Sequence, residues 1–261
     1  MELKLYQVDA FADSVFTGNP AAVCPLQEWL PDDVLQKIAV ENNLSETAYY
    51  IPKGDKFEIR WFTPGMEVDL CGHATLATAY VLHNLEGFKA DVINFISPRS
   101  GLLPVTVQGD RFLLNFPADK FEEAELTNEL LSATDKKPIT AFKGKTDYML
   151  VFDSQEDIRT LQPDLAAIAR LDARGLIVTA KGTTYDFVSR FFAPAAGINE
   201  DPVCGSAHTT LAPYWAKQLN KTELKAFQLS DRSGEVACRL LNDRVELGGK
   251  AVLYLKGGIF I

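Results

Sequence analysis

Arg60-Trp61-Phe62-Thr63-Pro64-Gly65-Met66-Glu67-Val68-Asp69-Leu70-Cys71-Gly72-His73-Ala74 has a partial copy later in the chain. It runs Arg190-Phe191-Phe192-Ala193-Pro194, then resumes at Glu200-Asp201-Pro202-Val203-Cys204-Gly205-Ser206-Ala207. Arg, Phe and Pro keep one offset, while Glu, Cys, Gly and Ala keep the next, across a link three residues longer in the second copy. Two related halves are therefore expected, with shared chemistry where the halves face each other. Each copy ends in Cys-Gly at the mouth of an expected helix.

Working outward, 261 residues suffice for two modest domains with real cores. Net charge of -9 argues against nonspecific binding to nucleic acid or acidic membrane. The start, Met1-Glu2-Leu3-Lys4-Leu5, has no long apolar run, and no later stretch reads as membrane-spanning. Four cysteines in so long a chain form no disulfide framework, so reduced thiols and a cytoplasmic setting are expected.

Strands are expected over residues 3–11, 21–24, 48–51, 56–62, 92–96, 102–107 and 112–116. Helices are expected from Pro31-Asp32-Asp33 to Glu41 and from Ala74 to Leu85. After a charged crossing over 117–135, strands 139–142 and 148–152, helical turns 156–170, and strands 176–179 and 185–192 repeat that order. A helix over 207–219 follows, with a kink or early turn expected at Pro213. The chain then reads as strands over 227–229, 235–240, 244–247 and 251–255. The expected class is α+β, each half a central helix wrapped by mostly antiparallel strands. The divisions are 1–117, joined by a last strand at about 250–261, and 118–249.

A helix N-terminus leaves backbone N–H groups unpaired and carries partial positive charge. Gly72 and Gly205 leave those groups open, so two such ends would grip a small carboxylate or a developing enolate. The plainer reading makes them tight turns into packed helices. Cys71 and Cys204 are packed thiols, a base–acid pair with depressed pKa values, or zinc ligands with His73 and His208. Unequal spacing in the two copies weakens the zinc reading. His73 follows Gly72 and suits proton exchange near neutral pH. Asp201 orients a base, binds an amine, or closes a turn; Ser206 offers a hydroxyl or a cap; Glu46 faces inward at a strand start or lies on the surface.

Further segments include Val8-Asp9-Ala10-Phe11, Gly18-Asn19-Pro20-Ala21-Ala22-Val23, Asn43-Leu44-Ser45-Glu46-Thr47 and Phe62-Thr63-Pro64. With Glu67 to Thr75 and Glu200 to His208, they make the whole chain resemble the PhzF-like family, within the diaminopimelate epimerase-like fold. That resemblance implies pseudo-symmetric domains with one site in the cleft between them, and cofactor-free isomerisation by proton transfer at carbon. It implies Glu46 as proton shuttle, with His73, Asp201 and Ser206 around a small carboxylate substrate. Asn19 and the Gly72 and Gly205 amides would bind that substrate, with no metal, and a homodimer is expected. Cys71 and Cys204 fall where the epimerase branch carries its two thiols, which keeps a two-cysteine epimerase or racemase open. Against that branch, His73 stands where the epimerase has Asn. A non-catalytic protein-binding scaffold is the third reading.

Overall fold

The computed structural model describes all 261 residues. Its chain divides into two compact units, residues 1–115 with 248–261, and residues 116–247. No helix is long and apolar enough to cross a membrane.

In the first unit the strands are β1 (Glu2–Ala10), β2 (Asn19–Pro25), β3 (Glu46–Lys53), β4 (Lys56–Phe62), β5 (Glu67–Val68), β6 (Val92–Ser97), β7 (Gly101–Gln108) and β8 (Arg111–Pro117). Strands β1 and β2 pair antiparallel, β2 and β3 parallel, β3 and β4 antiparallel, β4 and β6 parallel, β6 and β7 antiparallel. Helix α1 (Asp32–Asn42) makes the first parallel crossover. Asp32 and Asp33 sit in its first turn, favourable at the positive end, and Asn43 ends it in the left-handed region at φ 48°. Helix α2 (Gly72–Tyr80) makes the second and packs on β1, β2 and β3. Every residue of α2 from His73 to Ala79 is buried, because Ala, Thr and a single Leu let the sheet approach from several sides.

The second unit carries β9 (Glu122–Ala124), β10 (Thr140–Lys143), β11 (Asp147–Val151), β12 (Gly175–Lys181), β13 (Phe187–Phe192), β14 (Glu223–Gln228), β15 (Gly234–Leu241) and β16 (Arg244–Gly249). From β10 to β15 the pairings run antiparallel, parallel, antiparallel, parallel, antiparallel, the same series as β1 to β7 with the short β5 set aside. Short helices α3 (Asn128–Ser132), α4 (Gln155–Thr160) and α5 (Leu165–Ile168) precede the long α6 (Gly205–Leu219), which stands where α2 stands in the first unit. The α+β class holds in both units, with βαβ crossovers inside a mainly antiparallel, mixed sheet.

Several expectations shift. Helix α2 ends at Tyr80, and Val81–Leu85 continues as a π-helical turn, with Glu86 N–H donating to the Val81 carbonyl. Pro213 does not break α6. Proline lacks the N–H that would reach the Thr209 carbonyl, and the Asp119 N–H takes that carbonyl instead at 3.1 Å. The Thr210 hydroxyl also donates to Asp119. The final strand, β17 (Ala251–Phe260), runs through Gly257-Gly258 and pairs with β1 from Glu2 to Ala10. Beside the turn into β2, Gly18 has φ +67°, and a Cβ there would lie 2.2 Å from the Ala10 carbonyl oxygen.

Candidate active site

The duplicated stretches fold alike. Arg60 grips Glu67 with two parallel bonds, Nε–Oε1 2.6 Å and Nη2–Oε2 2.8 Å, and lies 5.1 Å from the Phe62 ring centre. Arg190 grips Glu200 the same way at 2.7 and 2.8 Å, and lies 4.9 Å from Phe192. Each fork ties the strand that opens the repeat to the segment that delivers Cys-Gly. The longer link of the second copy starts with a 3₁₀ turn, Pro194–Ala196, closed by an Ala193–Ile198 bridge and Gly197 at φ +82°. The first copy turns more tightly, with Thr63 N–H on the Met66 carbonyl. Cys71 and Cys204 then occupy the N-cap positions of α2 and α6 in extended conformation, and neither helix has a side-chain capping bond.

Around the α2 entrance the structure brings together Asn19, Glu46, Cys71, Gly72 and His73. Glu46 is the first residue of β3 and Asn19 the first of β2, so the parallel β2–β3 pair carries both to one end of the sheet. His73 Nε2 lies 3.1 Å from Glu46 Oε2, and its Nδ1 lies 3.2 Å from the Asn19 amide nitrogen. The Ser45 hydroxyl donates to Asn19 Oδ1 at 3.3 Å. A neutral imidazole accepts from the Asn19 amide at Nδ1 and carries its proton on Nε2, facing the carboxylate; the protonated ring donates from both nitrogens. Glu46 is 8% exposed and His73 5%. Despite the short separation, Glu46 Oε2 has no hydrogen bond of good geometry. A buried carboxylate oxygen left in that state is costly.

Burial opposes charge on His73, but Cys71 and the Glu46 carboxylate outweigh it, and the imidazole pKa stands well above its ordinary value. Cys71 contributes to that only as thiolate, and burial pushes its own thiol up to about 11, so Glu46 is the operative partner at neutral pH. Burial drives Cys204 upward too, helped by Asp201 and opposed by Arg174. The depressed thiols expected at helix entrances are not found, since burial at 6% and 4% exposure overrides the helix dipole. Glu46, Cys71 and His73 each offer a donor atom, all within 4.8 Å, and so form the one three-residue group that suits a metal ion. His208 is differently disposed: its Nδ1 meets the Cys204 carbonyl at 2.7 Å, a helical i−4 bond.

At the α6 entrance lie Asp201, Cys204, Gly205 and Ser206, with three residues that sequence reasoning missed. Gln228, fully buried on β14, accepts from Cys204 N–H at 2.9 Å and donates to the Asp201 carbonyl at 2.6 Å, clamping the loop. Arg174 donates from Nη2 to Ser206 Oγ at 2.9 Å and forms a two-bond pair with Asp147, through Nε at 2.9 Å and through Nη2. Ser206 Oγ also lies 3.3 Å from Cys204 Sγ. Asp201 donates its N–H to Phe191, and its negative charge is felt by both Cys204 and Arg174. The parallel register Asp147–Gly175 is what carries Asp147 and Arg174 to this end of the unit.

A family model described as PhzC-PhzF, phenazine biosynthesis-like protein, matches residues 8–257. The chain belongs to this family. An uncharacterised isomerase of Pseudomonas aeruginosa is 50% identical to this PhzF-family chain, with all of both chains covered. The crystal structure of a PhzF-family phenazine biosynthesis protein from Enterococcus faecalis superposes with TM-score 0.97 at 47% identity, over 100% of each chain. A hydroxyproline epimerase from Agrobacterium vitis, 12% identical, shares the fold at TM-score 0.60 over 99% of this chain and 91% of that one.

Proposed function

We propose that this PhzF-family protein is a cofactor-independent isomerase that moves a proton between carbons of a small cyclic or amino-acid-like carboxylate. The buried Glu46–His73 contact at 3.1 Å carries the reading. Glu46 takes a proton from a carbon made acidic by conjugation; the C–H bond breaks, an O–H bond forms, and the electron pair spreads toward the substrate carboxylate. Glu46, or His73 beside it, returns the proton to a second carbon. The double bond shifts and nothing is oxidised or reduced. The Gly72 amide at the α2 entrance holds the substrate carboxylate and the charge that develops on it, with Asn19 fixing its orientation.

The two-thiol epimerase reading is weaker, because both thiols stay protonated near neutral pH under their burial. A cytoplasmic homodimer belongs to the proposal. It is supported by the apolar side chains of Tyr254, Leu255 and Phe260, which β17 leaves 49%, 41% and 78% exposed. Sedimentation showing a monomer at micromolar concentration removes the dimer alone. For the chemistry, the test is deuterium uptake from D2O into candidate unsaturated ring carboxylates. Uptake should occur at two carbons and vanish in Glu46→Gln; undiminished uptake in that variant sinks the shuttle.

A further inference from the structure

Glu46, Cys71 and His73 form a cluster that the proton-shuttle reading uses only in part, since it leaves the thiol idle. All three belong to the first unit, and their donor atoms lie within 4.8 Å of one another. We propose that this cluster binds zinc or a similar soft divalent cation through Glu46 Oε2, Cys71 Sγ and His73 Nε2, and that the bound ion switches the enzyme off. The inhibitory half of the inference rests on the isomerase reading; the metal site does not.

Distances support this. His73 Nε2 lies 3.1 Å from Glu46 Oε2 and 4.0 Å from Cys71 Sγ. Bonds to zinc of about 2.0–2.3 Å set neighbouring ligand atoms of a tetrahedron roughly 3.3–3.6 Å apart. Both separations therefore differ from the ideal by about half an ångström or less. Alignment is the second support. Glu46 Oε2 is buried and close to the ring, yet it makes no hydrogen bond of good geometry. Ligands that share an ion aim at the ion and not at each other, so a close but misaligned pair suits such a site.

Charge and softness select the ion. A thiolate and a carboxylate bring two negative charges beside a neutral imidazole, so a divalent cation makes the buried set neutral. Thiolate and imidazole favour zinc over magnesium or calcium, which take oxygen ligands. On binding, the Cys71 thiol releases its proton to solvent, and a sulfur–metal bond replaces the S–H bond. The imidazole vacates Nε2 and keeps one proton, on Nδ1; a protonated ring sheds its other proton to solvent. Asn19 can serve that tautomer too. Half a turn of its amide presents Oδ1 to Nδ1–H and aims the amide nitrogen at the Ser45 hydroxyl, which accepts as readily as it donates. Zinc-bound histidines ordinarily carry such a partner on the far nitrogen. Three protein ligands leave a fourth position for water, and they occupy the carboxylate and imidazole that move the proton. The second entrance has no equivalent: Ser206 stands two places after the cysteine, and His208 turns its Nδ1 to the Cys204 carbonyl.

The test uses the full chain, stripped with EDTA and dialysed, with zinc, cobalt(II) and magnesium as probes. Competition against a chromophoric chelator should show one zinc held per chain, and magnesium should not displace it. Cobalt(II) should give the near-ultraviolet band of a thiolate–cobalt bond. That band should vanish in Cys71→Ala and persist in Cys204→Ala, and zinc affinity should fall at least about a hundredfold in Cys71→Ala. Cys71→Ser should behave alike, so a misfolded alanine variant does not stall the test. Glu46→Gln should keep the band while weakening zinc about tenfold or more. Zinc should raise the melting temperature of the wild type and not that of the Cys71 variants. A band that survives loss of the Cys71 thiol, or unchanged zinc affinity in a folded Cys71 variant, overturns the site. Deuterium uptake reads the other half: one equivalent of zinc should abolish it and EDTA should restore it. Uptake that continues at full zinc occupancy overturns the switch. A cobalt band without any uptake by the metal-free protein upholds the metal site and sinks the isomerase reading, and the switch with it.

Discussion

The two Cys-Gly entrances show how far one scaffold carries two chemistries. Both have an arginine–glutamate fork stacked on phenylalanine, an extended cysteine at the N-cap, and a buried helix behind it. What differs is the residue two places after the cysteine and its partner. His73 faces a carboxylate that lacks a good hydrogen bond, and Ser206 faces a guanidinium locked to a buried acid. The first arrangement can accept and return a proton, while the second holds fixed charge. Duplication supplied the frame, and the chemistry sits where the copies diverge.

Four experiments would break or sharpen this contrast. The largest effect belongs to Glu46→Gln, which should lower proton exchange by about a hundredfold to ten-thousandfold while leaving the melting temperature within a few degrees. Loss of folding in that variant would make Glu46 part of the core instead.

Acid titration should separate the two helices through their histidines. Burial presses His208 down to about 4, below its unfolded value of 6.5, so the unfolded chain binds a proton first as pH falls. That stability is present above pH 6.5 and drains away towards pH 4, at up to roughly 1.4 kcal/mol per unit. His73 has the opposite sign. Its folded pKa is raised, so its contribution is full below pH 6.5 and disappears as pH rises through the folded value. Denaturant melts from pH 4 to 9 should show the acid slope flattened in His208→Gln and the alkaline slope flattened in His73→Gln. A shared sign would erase the distinction.

Arg60→Ala and Arg190→Ala should each cost about 2–4 kcal/mol, because a half-buried glutamate loses its fork in both cases. Equal losses in urea melts support an equivalent strap in each half, and a large inequality limits the likeness to the backbone. Smallest of all, Cys71→Ala and Cys204→Ala should change exchange no more than a few-fold. A thousandfold loss on either, with inversion at the exchanging carbon, would restore the two-thiol mechanism.

Much of this was legible in the sequence because it lay inside the repeated stretch. The offsets of Cys71 and Gly72 announced the helix entrances, though not the arginine–glutamate forks, and β4 begins and ends at the expected residues. Asp147 and Arg174 were not legible. They lie outside the repeat, 27 residues apart, and read as ordinary surface charges until parallel pairing sets Asp147 against Gly175. Gln228 is hidden for a similar reason: a polar residue near a strand end gives no sign that it will be buried across a loop. The thiols misled in the other direction, since their position at a helix mouth is visible in sequence but their burial is not. The last strand was expected over 251–255, yet β1 supplies partners across Gly257-Gly258 as far as Phe260.

Strand β17 also imposes an order on how the molecule is made. It belongs to the first unit, yet it emerges from the ribosome only after the whole of residues 116–247. At ordinary elongation rates that interval lasts on the order of ten seconds. During it β1 waits with one edge bare, and by its end the contiguous second unit has all its residues in hand. The half synthesised first is thus the half completed last, and slow translation of the middle of the chain leaves β1 open to the wrong neighbour for longer.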